Sequence, residues 1–411
     1  MSRGAKGEAG MKIGWDWASE THHVSVIDDA GGLVDAFEVE HTEDGITRSL
    51  KRLARHGEPA ELPVAIERPS GLVVERLLAA GHPVVPIHPN AFNAARPRWG
   101  ASRAKSDPKD SYCLADYLRT DGHRLRIVHQ LSPAAQSLRA LSRLRDDHVE
   151  AKVAATNRLA SLLDAHWPGA GAIFGRLDSA IALAFLGNYP TPESAARLGE
   201  SRMAMFCRRH SYCGRRSPAQ LLRRLRSAPV APATLEPEVL AELVSAQVRL
   251  LAGLLESIAD LDRALGAALL VNPKAGLLEA LPRIGEINLA QVVAEVGPIL
   301  ERTVDCEHAS AEVGASPVTK SSGKGKAVNF RWAATAQARK ALATFADNSR
   351  HSSPWAADLY RKARARGKRH PHAIRILMRA WMRVIWACWH AEVAYDPTRH
   401  GGEIRLAKAV A

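Results

Sequence analysis

The chain has 411 residues, of which 46% are hydrophobic and 24% charged, and these proportions are typical of a folded protein with two or three domains. Lysine and arginine outnumber aspartate and glutamate by 56 to 43, which gives a formal net charge of +13 at pH 7. This excess of positive charge predicts a nucleic-acid partner. The sequence has neither a long apolar run nor a signal-peptide pattern, so a membrane protein is not expected.

The cysteines are scattered along the chain without any C-x-x-C pair. This spacing argues against a disulfide framework and against a structural zinc site. It predicts free thiols, which are typical of a protein in the reducing cytoplasm. The residues concerned are Cys113, Cys207, Cys213, Cys306 and Cys388.

The first part of the chain predicts a short leader followed by an α/β domain. Residues 1–10 are small and polar, with three glycines, and we expect them to be disordered. Over 11–127, apolar strands alternate with amphipathic helices. Because turn-forming residues at 29–32 separate two strand-like runs, the sheet should begin with an antiparallel meander. The predicted strands are 11–16, 23–28, 33–40, 62–67 and 84–88, and the predicted helices are 42–55 and 71–80.

Two long helices are predicted in the middle region, 128–271. Ser132 is a suitable N-cap, with Pro133 at the first helical position, for a helix that ends near His166. A second helix should begin at Pro237, and its apolar residues recur at spacings of three and four. We therefore expect an antiparallel coiled-coil arm. The predicted seam of the second helix is Leu240, Leu243, Gln247, Leu250, Leu254, Ile258, Leu261 and Leu265.

Two segments leave a structural and a nucleic-acid-binding interpretation open. Residues 169–235, between the long helices, carry several arginine clusters; they cap the arm, bind RNA or DNA, or form a solvated face. In the third region, 272–411, the sequence 281–286 and a helical run at 288–296 predict a glycine-containing hairpin between two helices. Such a hairpin either binds a phosphate through backbone N–H groups or is a plain helical turn.

The end of the chain is strongly basic and rich in tryptophan. Over residues 374–389, apolar residues and arginines alternate at helical spacing. One face of this helix should therefore pack on a core while Arg375, Arg379 and Arg383 line the other face. Core tryptophans are more common than tryptophans that stack on bases. We therefore expect core positions for Trp332, Trp355, Trp381, Trp386 and Trp389.

Four acidic residues stand where metal-binding carboxylates are expected in an α/β domain. Asp16 and Glu67 end predicted strands, and Asp107 and Asp110 are three residues apart in a polar stretch that enters a helix. Carboxylates are ligands that Mg²⁺ prefers, and metal ions held in this way assist phosphoryl transfer. Taken singly, Asp16 and Glu67 are better explained as surface carboxylates, and Asp107 and Asp110 are explained equally well as part of a mixed-charge surface, so the prediction depends on their convergence.

The segments around these acids are 14–19 (GWDWAS), 66–71 (IERPSG), 81–89 (GHPVVPIHP) and 105–110 (KSDPKD). Together they resemble successive motifs of the DEDD-type insertion-sequence transposases, which are bridge-RNA-guided recombinases related to the pilin-gene-inverting recombinases. The resemblance implies a RuvC-like domain of the ribonuclease-H type. It also implies that Asp16, Glu67, Asp107 and Asp110 bind Mg²⁺ or Mn²⁺.

The resemblance continues in the last third of the chain, which looks like the mainly helical transposase domain of that family. There a serine just before a glycine is the nucleophile; by position this is Ser322, although Ser321 directly precedes it. The family implies a covalent phosphoserine link to DNA and an active site to which different subunits contribute the acids and the serine. The matching segments are 281–285 (LPRIG), 314–317 (GASP), 321–324 (SSGK), 366–368 (RGK) and 394–397 (AYDP).

The partners that the resemblance implies are donor and target DNA, a noncoding bridge RNA and further copies of the chain, with dimers that pair into a tetramer. The implied location is the cytoplasm of a bacterium or archaeon, at the nucleoid. Basic residues beside Asp107, around the serine and in the tail are expected to contact nucleic acid. They are Lys105, Lys320, Lys324, Lys326, Arg366, Lys368, Arg369, Arg375 and Arg379.

Other functions are compatible with some of the same residues. A metal-dependent nuclease or Holliday-junction resolvase would use only the acidic quartet, and a non-catalytic nucleic-acid-binding scaffold would need neither the acids nor the serine. Serine, glycine and lysine in a short run are also typical of a flexible basic loop. A nucleotide-binding P-loop is not expected, because Val318 occupies the first glycine position and Gly325 follows the lysine.

Overall fold

The computed structural model describes residues 10–100, 106–322 and 325–410. The chain forms two compact units, one that extends to Gln130 and one that begins at Leu131. Within the described ranges, no helix is long and apolar enough to cross a membrane. All five cysteines are free thiols, as their spacing predicts.

The strands of the N-terminal unit are β1 (Lys12–Asp16), β2 (Thr21–Ile27), β3 (Leu33–Glu40), β4 (Val64–Ile66) and β5 (Val84–Pro86). Its helices are α1 (Glu43–Leu53), α2 (Leu72–Ala79), α3 (Pro89–Ala95) and α4 (Asp107–Asp121). The strands form one mixed sheet of order β3-β2-β1-β4-β5. The antiparallel meander of β1, β2 and β3 is confirmed, and β4 and β5 extend the sheet in parallel. Residues 1–9 of the expected leader lie outside the described residues.

Helices cover both faces of this sheet. On one face, α1 and α2 enclose a core in which Trp15 and Leu77 are buried. On the other face, α4 contributes the fully buried Leu114. Helix α4 approaches β1 so closely that a Cβ atom on Gly14 would lie 1.9 Å from the carbonyl oxygen of Ser111. A glycine at this position of β1 is therefore required by the packing of α4.

The second unit is mainly helical. Its first helices are α5 (Pro133–His166), α6 (Pro168–Ile173), α7 (Ala180–Asn188), α8 (Pro192–Ala195), α9 (Glu200–Arg209), α10 (Pro218–Ser227) and α11 (Pro237–Leu270). They are followed by α12 (Glu286–Glu295), α13 (Gly297–Arg302), α14 (Cys306–Glu312), α15 (Ala336–Ser349), α16 (Pro354–Ala365), α17 (His370–Ala391) and α18 (Gly401–Val410). Its two strands, β6 (Val318–Ser322) and β7 (Gly325–Asn329), form a separate antiparallel hairpin.

The two long helices α5 and α11 have the predicted starts and pack against each other. Ser132 caps α5 through its hydroxyl group, as predicted. The Nε atom of Arg145 on α5 donates to Asp262, near the end of α11, at 2.6 Å. At the other end of α5, His166 lies 3.2 Å from Thr234, which precedes α11. The two helices are therefore antiparallel.

The predicted apolar seam of α11 is wrong at two positions. Leu243 and Leu250 are 42% and 45% exposed, whereas Val244 and Leu251 are fully buried. If spacings of four and three residues alternate regularly, counting back from the buried Leu265 gives positions 261, 258, 254, 251, 247 and 244. The buried residues Leu251 and Val244 are in this series. The predicted seam instead contained two successive spacings of four. Because three and four are both close to one helical turn, only the contacts with α5 select between them.

The basic segment between the long helices folds into the short helices α6 to α10, which share a core. Phe185 of α7 and Met203 of α9 are fully buried there, together with Leu163 of α5 and Val244 of α11. These contacts support the structural interpretation of the segment, as a cap on one end of the helical pair.

The turn before α12 also has a structural explanation. Arg283 has a φ angle of +58° in this turn, and α12 is buried from Asn288 to Glu295. Glu286 begins α12 and lies against Gly266 of α11. A Cβ atom added to Gly266 would be 2.4 Å from Oε1 of Glu286. The predicted helix is therefore present, and its first turn packs on α11.

The last helices surround a core that is centred on tryptophan. Trp381 is fully buried and Trp389 is 4% exposed, while Trp355 and Trp386 are partly buried against the same core. The expectation of a core position is wrong for Trp332, which is 82% exposed.

Candidate functional site

Asp16 and Glu67 lie side by side at one edge of the N-terminal sheet. They follow Trp15 and Ile66, which are paired in the parallel register of β1 and β4. Side chains alternate between the two faces of a strand, so Asp16 shares the face of Gly14, two residues earlier. That face is the one that α4 covers. The two acids therefore end neighbouring strands on the α4 side of the sheet.

The first turn of α4 brings two more acids to the same edge. Asp107 begins the helix and is followed by a proline, and acidic residues in the first turn are favoured by the helix dipole. The Oδ2 atom of Asp107 lies 3.9 Å from Nε2 of His23 on β2. His23 is directly opposite Asp16 in the antiparallel pairing of β1 and β2. We define the acidic edge as Asp16, Glu67, Asp107 and Asp110.

The four carboxylates share this edge without forming a compact cluster. Over residues 10–100, 106–322 and 325–410, no three histidine, cysteine, aspartate or glutamate side chains are grouped so that they could hold a metal ion. Asp107 is exposed, while Asp16 and Glu67 are partly buried. Asp110 is only 2% exposed.

Arg96 binds Asp110 with both terminal nitrogens. Its Nη1 and Nη2 atoms donate to the two carboxylate oxygens at 2.7 and 2.9 Å. This hydrogen bonding, with smaller contributions from the charges of Asp110 and Glu67, raises the pKa of Arg96 above its ordinary value. The guanidinium carbon also lies 4.7 Å from the centre of the Phe92 ring. Arg96 was not among the residues expected at the site, because no spacing in the sequence indicates this pairing.

Two histidines at the start of β2 were also not predicted as part of this edge. His23 lies 3.9 Å from Asp107 and 4.0 Å from Glu38 of β3. His22 is fully buried and accepts a hydrogen bond from the backbone N–H of Ala18 at 3.1 Å. Burial, and then the neighbouring histidines His41 and His23, lower the pKa of His22 to about 4.

The candidate serine lies at the end of an exposed β-hairpin. Ser322 is paired with Gly325, and Ser321 with Lys326. Ser322 and Lys320 are two residues apart, so they share one face of β6. Gly325, which is paired with Ser322, has no side chain that could cover the serine hydroxyl group.

The structure distributes the predicted nucleic-acid-binding residues over several positions. Lys105 and Lys324 lie outside the described residues, and only the backbone of Lys326 is described, in β7. Arg366, Lys368 and Arg369 lie at the end of α16 and in the turn to α17. Arg375, Arg379 and Arg383 lie on one face of α17, as predicted, and line a cleft opposite residues 314–317.

One acidic residue partly neutralises this arginine face. Glu307 of α14 accepts from Arg379 at 2.6 Å and from Arg383 at 3.2 Å. These contacts, led by the hydrogen bond from Arg379, lower the pKa of Glu307 below its ordinary value. Two guanidinium groups share a single carboxylate, so the face keeps a positive charge.

Comparison with known proteins identifies the family. Residues 13–168 match a model of transposases, and residues 275–361 match a model described as a transposase of the IS116/IS110/IS902 family. A Streptomyces coelicolor protein, named as a mini-circle transposase for IS117, is 30% identical over 398 residues. The alignment covers 94% of this chain and 95% of the relative. The chain belongs to the IS110/IS116/IS902 family of transposases.

Further relatives of this transposase agree with the assignment. An insertion element IS900 protein of 42 kDa from Mycobacterium paratuberculosis is 24% identical, over 93% of this chain and 96% of the relative. A Sinorhizobium fredii protein, named as transposase y4uE, is 34% identical, over 48% of this chain and 56% of the relative. The family that the sequence motifs resemble is therefore confirmed, and the protein is an enzyme that acts on DNA. The first matched region contains the acidic edge, and the second contains Ser322.

Proposed function

We propose that this transposase cuts and rejoins DNA by attack of the Ser322 hydroxyl group on a phosphodiester, assisted by Mg²⁺ or Mn²⁺ at the acidic edge. The proposal rests mainly on one observation. Asp16 and Glu67 end neighbouring parallel strands on the sheet face that α4 covers, and the first turn of α4 carries Asp107 and Asp110. Carboxylates at strand ends on one side of a sheet suit metal-assisted phosphoryl transfer.

The N-terminal unit would be a RuvC-like domain of the ribonuclease-H type. An antiparallel meander that two parallel strands extend, with helices on both faces, supports this interpretation. The helical pair α5 and α11 would form the coiled-coil arm of an oligomer. Their antiparallel packing and the regular seam that continues to Leu265 support this role.

The donor set of the acidic edge fits a hard divalent cation, because it consists of carboxylate oxygens. Asp16, Glu67 and Asp107 would hold the ion once their side chains had moved closer together, since in this structure they are not grouped tightly enough to bind one. Asp110 would join them only after Arg96 turns away, since Arg96 binds both of its oxygens. When bound, the ion would neutralise charge that develops on the phosphate. Asp110 would otherwise serve to fix α4 and, with it, the position of Asp107.

The reaction at the serine would be a transesterification. The Ser322 oxygen would form a bond to phosphorus, the bond from phosphorus to a sugar oxygen would break, and the serine proton would pass to that leaving oxygen. In the reverse step, a sugar hydroxyl of the second DNA would attack the phosphoserine and release Ser322. Lys320, on the same face of β6, would stabilise the charge on the phosphate. No oxidant or nucleotide is needed, because each step exchanges one phosphate ester for another.

The complete reaction would need further molecules. Donor and target DNA would be the substrates, a bridge RNA would select them, and copies of this chain would assemble as a dimer that pairs into a tetramer. The acids of one subunit would then act with the serine of another. Location in the cytoplasm, at the nucleoid, would follow from these partners. The positive charge that remains on the arginine face beside Glu307 supports a nucleic-acid contact there.

Basic residues of both units would hold the DNA and RNA backbones. Phosphate contacts fix the position of a nucleic acid without reading its sequence. The residues proposed for this role are Lys105, Lys320, Lys324, Lys326, Arg366, Lys368, Arg369, Arg375 and Arg379.

Strand transfer on labelled DNA, with the matching RNA and Mg²⁺, tests the serine assignment. Ser322→Ala should abolish cleavage and rejoining, whereas Ser321→Ala should keep most of the activity. If Ser322→Ala still cleaves in the presence of Mg²⁺, the protein is a nuclease or resolvase that uses only the acids. If strand transfer also persists after Asp16→Asn and Asp107→Asn, the acids are surface charges. Ser321→Ala is the matched control, because it removes the same group from the other face of β6.

A further inference from the structure

Trp332 is an exposed indole next to an aromatic ring that is held in place. Its side chain is 82% exposed, whereas the ring of Phe330, two residues earlier, contacts it edge-to-face at a centroid distance of 4.8 Å. The guanidinium groups of Arg339 and Arg375 each lie 4.8 Å from the centre of the Phe330 ring. Two cations therefore hold the Phe330 ring, and the indole of Trp332 contacts that ring edge-to-face.

The backbone of Trp332 is also held. Its carbonyl oxygen accepts from the N–H of Ala334 at 2.8 Å and from Nη2 of Arg339 at 3.4 Å. An exposed tryptophan in a loose loop would need no explanation, but this one has an anchored main chain and an anchored aromatic neighbour. The indole therefore presents a flat, preorganised apolar surface to the solvent.

This surface adjoins the cleft that α17 lines with arginines. Phe330 and Arg331 line the cleft from one side, and Arg375 and Arg379 from the other. Within the described part of the chain, neither Arg331 nor Arg375 has a carboxylate partner, and Arg379 shares Glu307 with another arginine. The cleft is therefore positive over the side that meets the Phe330 ring.

Some donors around the cleft have no acceptor. Among the described residues, the buried atoms without a hydrogen-bond partner include Oγ of Ser316 and Nε of Arg379, both on cleft-lining residues, and Nε of the neighbouring Arg339. Buried donors are normally satisfied, and a site that lacks acceptors favours a ligand that supplies them. Phosphate oxygens are acceptors with the charge that this cleft complements.

We propose that Trp332 is a stacking platform for an unpaired nucleobase, and that the cleft beside it binds the phosphates of the same strand. An aromatic side chain stacks on any base, and alternating aromatic and cationic groups are typical of single-strand binding. The proposal rests on the proposed function, since strand exchange must unpair bases near the cut. The platform comes three residues after the base of the β6–β7 hairpin, whose tip carries Ser322.

The test is a binding measurement in which no DNA is cut. All proteins carry Ser322→Ala, and the probes are fluorescein-labelled DNA strands of about 20 nucleotides, the same strands in duplex form, and RNA strands of the same sequence. The variants are Trp332→Ala, Trp332→Phe, Arg375→Ala and, as a control at an exposed apolar residue, Val304→Ala. Val304 is 83% exposed, so its truncation matches that of Trp332 in exposure.

Trp332→Ala should weaken single-strand binding by about tenfold to a hundredfold and change duplex binding by less than about twofold. Trp332→Phe should keep most of the affinity, and Val304→Ala should keep all of it. Arg375→Ala should weaken binding to every probe and lower the salt dependence, as expected for a phosphate contact. If only the DNA strand loses affinity in Trp332→Ala, the stacked base belongs to DNA. If only the RNA strand loses affinity, the base belongs to RNA.

A strand that contains 2-aminopurine gives a direct measure of stacking. Its fluorescence should be quenched on binding to the protein with Trp332 and should stay high with Trp332→Ala. The proposal would be overturned if Trp332→Ala left both single-strand affinity and quenching unchanged. It would also be overturned if Trp332→Ala lowered the affinity for duplex and for single strand equally. A contact between copies of the chain would instead change the sedimentation of Trp332→Ala and leave its single-strand affinity intact, which also overturns it. Binding is measured in EDTA, without a divalent cation, so a metal-dependent nuclease cannot cut the probes either, and failure of the Ser322 mechanism would not alter these results.

Discussion

Arg96 and Asp110 form a two-point ion pair in which the carboxylate is buried and the guanidinium is partly exposed. The donor distances are 2.7 and 2.9 Å, and the Asp110 side chain is 3% exposed. Removing the counter-charge of a buried carboxylate lowers the free energy of unfolding, because water does not replace the lost partner. This pair therefore links the segment after α3 to the first turn of α4, which carries two of the four acids.

Arg96→Ala should destabilise the protein by about 3 kcal/mol, since it leaves the Asp110 charge buried and unpaired. Chemical unfolding of the full chain, followed by circular dichroism and tryptophan fluorescence, measures this change. Arg98→Ala is the matched control. Arg98 pairs with Asp121 at 2.8 Å, but its own side chain is 53% exposed, so its loss should change the unfolding midpoint little. Equal midpoints for the two variants would contradict the structural role of Arg96.

Gly14→Ala should destabilise the protein by about 2 to 3 kcal/mol, because the new Cβ atom would overlap the backbone of α4. It would lie 1.9 Å from the Ser111 oxygen and 2.6 Å from the Ala115 nitrogen. Moving α4 away from β1 would also separate Asp107 from the strand ends, so DNA cleavage should fall with stability. Gly253→Ala in α11 is the control, since nothing lies within 4 Å of that Cβ position. The packing account would be wrong if Gly14→Ala melted at or above the temperature of Gly253→Ala.

The stability of the protein should fall as the pH drops from 6.5 to 4, in part through His22. The pKa of this buried histidine is lowered to about 4, whereas it returns to about 6.5 on unfolding. Below pH 6.5 the unfolded chain therefore takes up a proton that the folded chain does not, and this favours unfolding. Through His22 alone, the free energy of unfolding should be about 2 kcal/mol lower at pH 5 than at pH 7.

Urea unfolding at pH 7 and at pH 5 measures this effect. His22→Asn removes the titrating group and keeps an acceptor for the Ala18 N–H, so the variant should lose less stability between the two pH values. His82, the other buried histidine among the described residues, is present in both proteins, and the difference between the two proteins therefore isolates His22. An equal loss in both would show that His22 does not cause the acid sensitivity.

Local signals in the sequence were sufficient for much of the fold. Ser132 followed by a proline predicts the start of α5, because an N-cap acts on its own helix. Alternating apolar residues and the turn at 29–32 predict the meander, because these signals also act on neighbouring residues of the chain. The seam of α11 was wrong at Leu243 and Leu250, because spacings of three and four are locally equivalent and only contact with α5 separates them.

The candidate site was less predictable, because its pairings join separate elements. The sequence indicates Asp16 and Glu67 as strand ends, but their shared edge depends on the parallel register of β1 and β4. The contacts of Arg96 with Asp110 and of His23 with Asp107 depend on how α4 packs on the sheet, which no spacing in the sequence specifies. The hairpin around Ser322 looks like a flexible loop by composition, and its strand pairing is a finding of the structure.

Asp16→Asn and Asp107→Asn should abolish DNA cleavage and weaken Mn²⁺ binding without lowering stability. Both residues have exposed surface at the acidic edge, and an amide removes the charge that a divalent cation needs. Mn²⁺ binding by electron paramagnetic resonance measures metal affinity separately from activity. Asp44→Asn, an exposed acid in the first turn of α1, should leave cleavage and Mn²⁺ affinity unchanged. Wild-type Mn²⁺ affinity in both edge variants would contradict the proposed metal site.

The covalent intermediate provides the most direct test of the serine mechanism. The transposase is mixed with labelled DNA, the matching RNA and Mg²⁺, quenched during the reaction, and digested with nuclease and protease. Mass spectrometry should then find a nucleotide phosphate attached to Ser322, and this adduct should be absent from Ser322→Ala. DNA cleavage without any protein adduct, or an adduct that maps to Ser321, would contradict the assignment of Ser322 as the nucleophile.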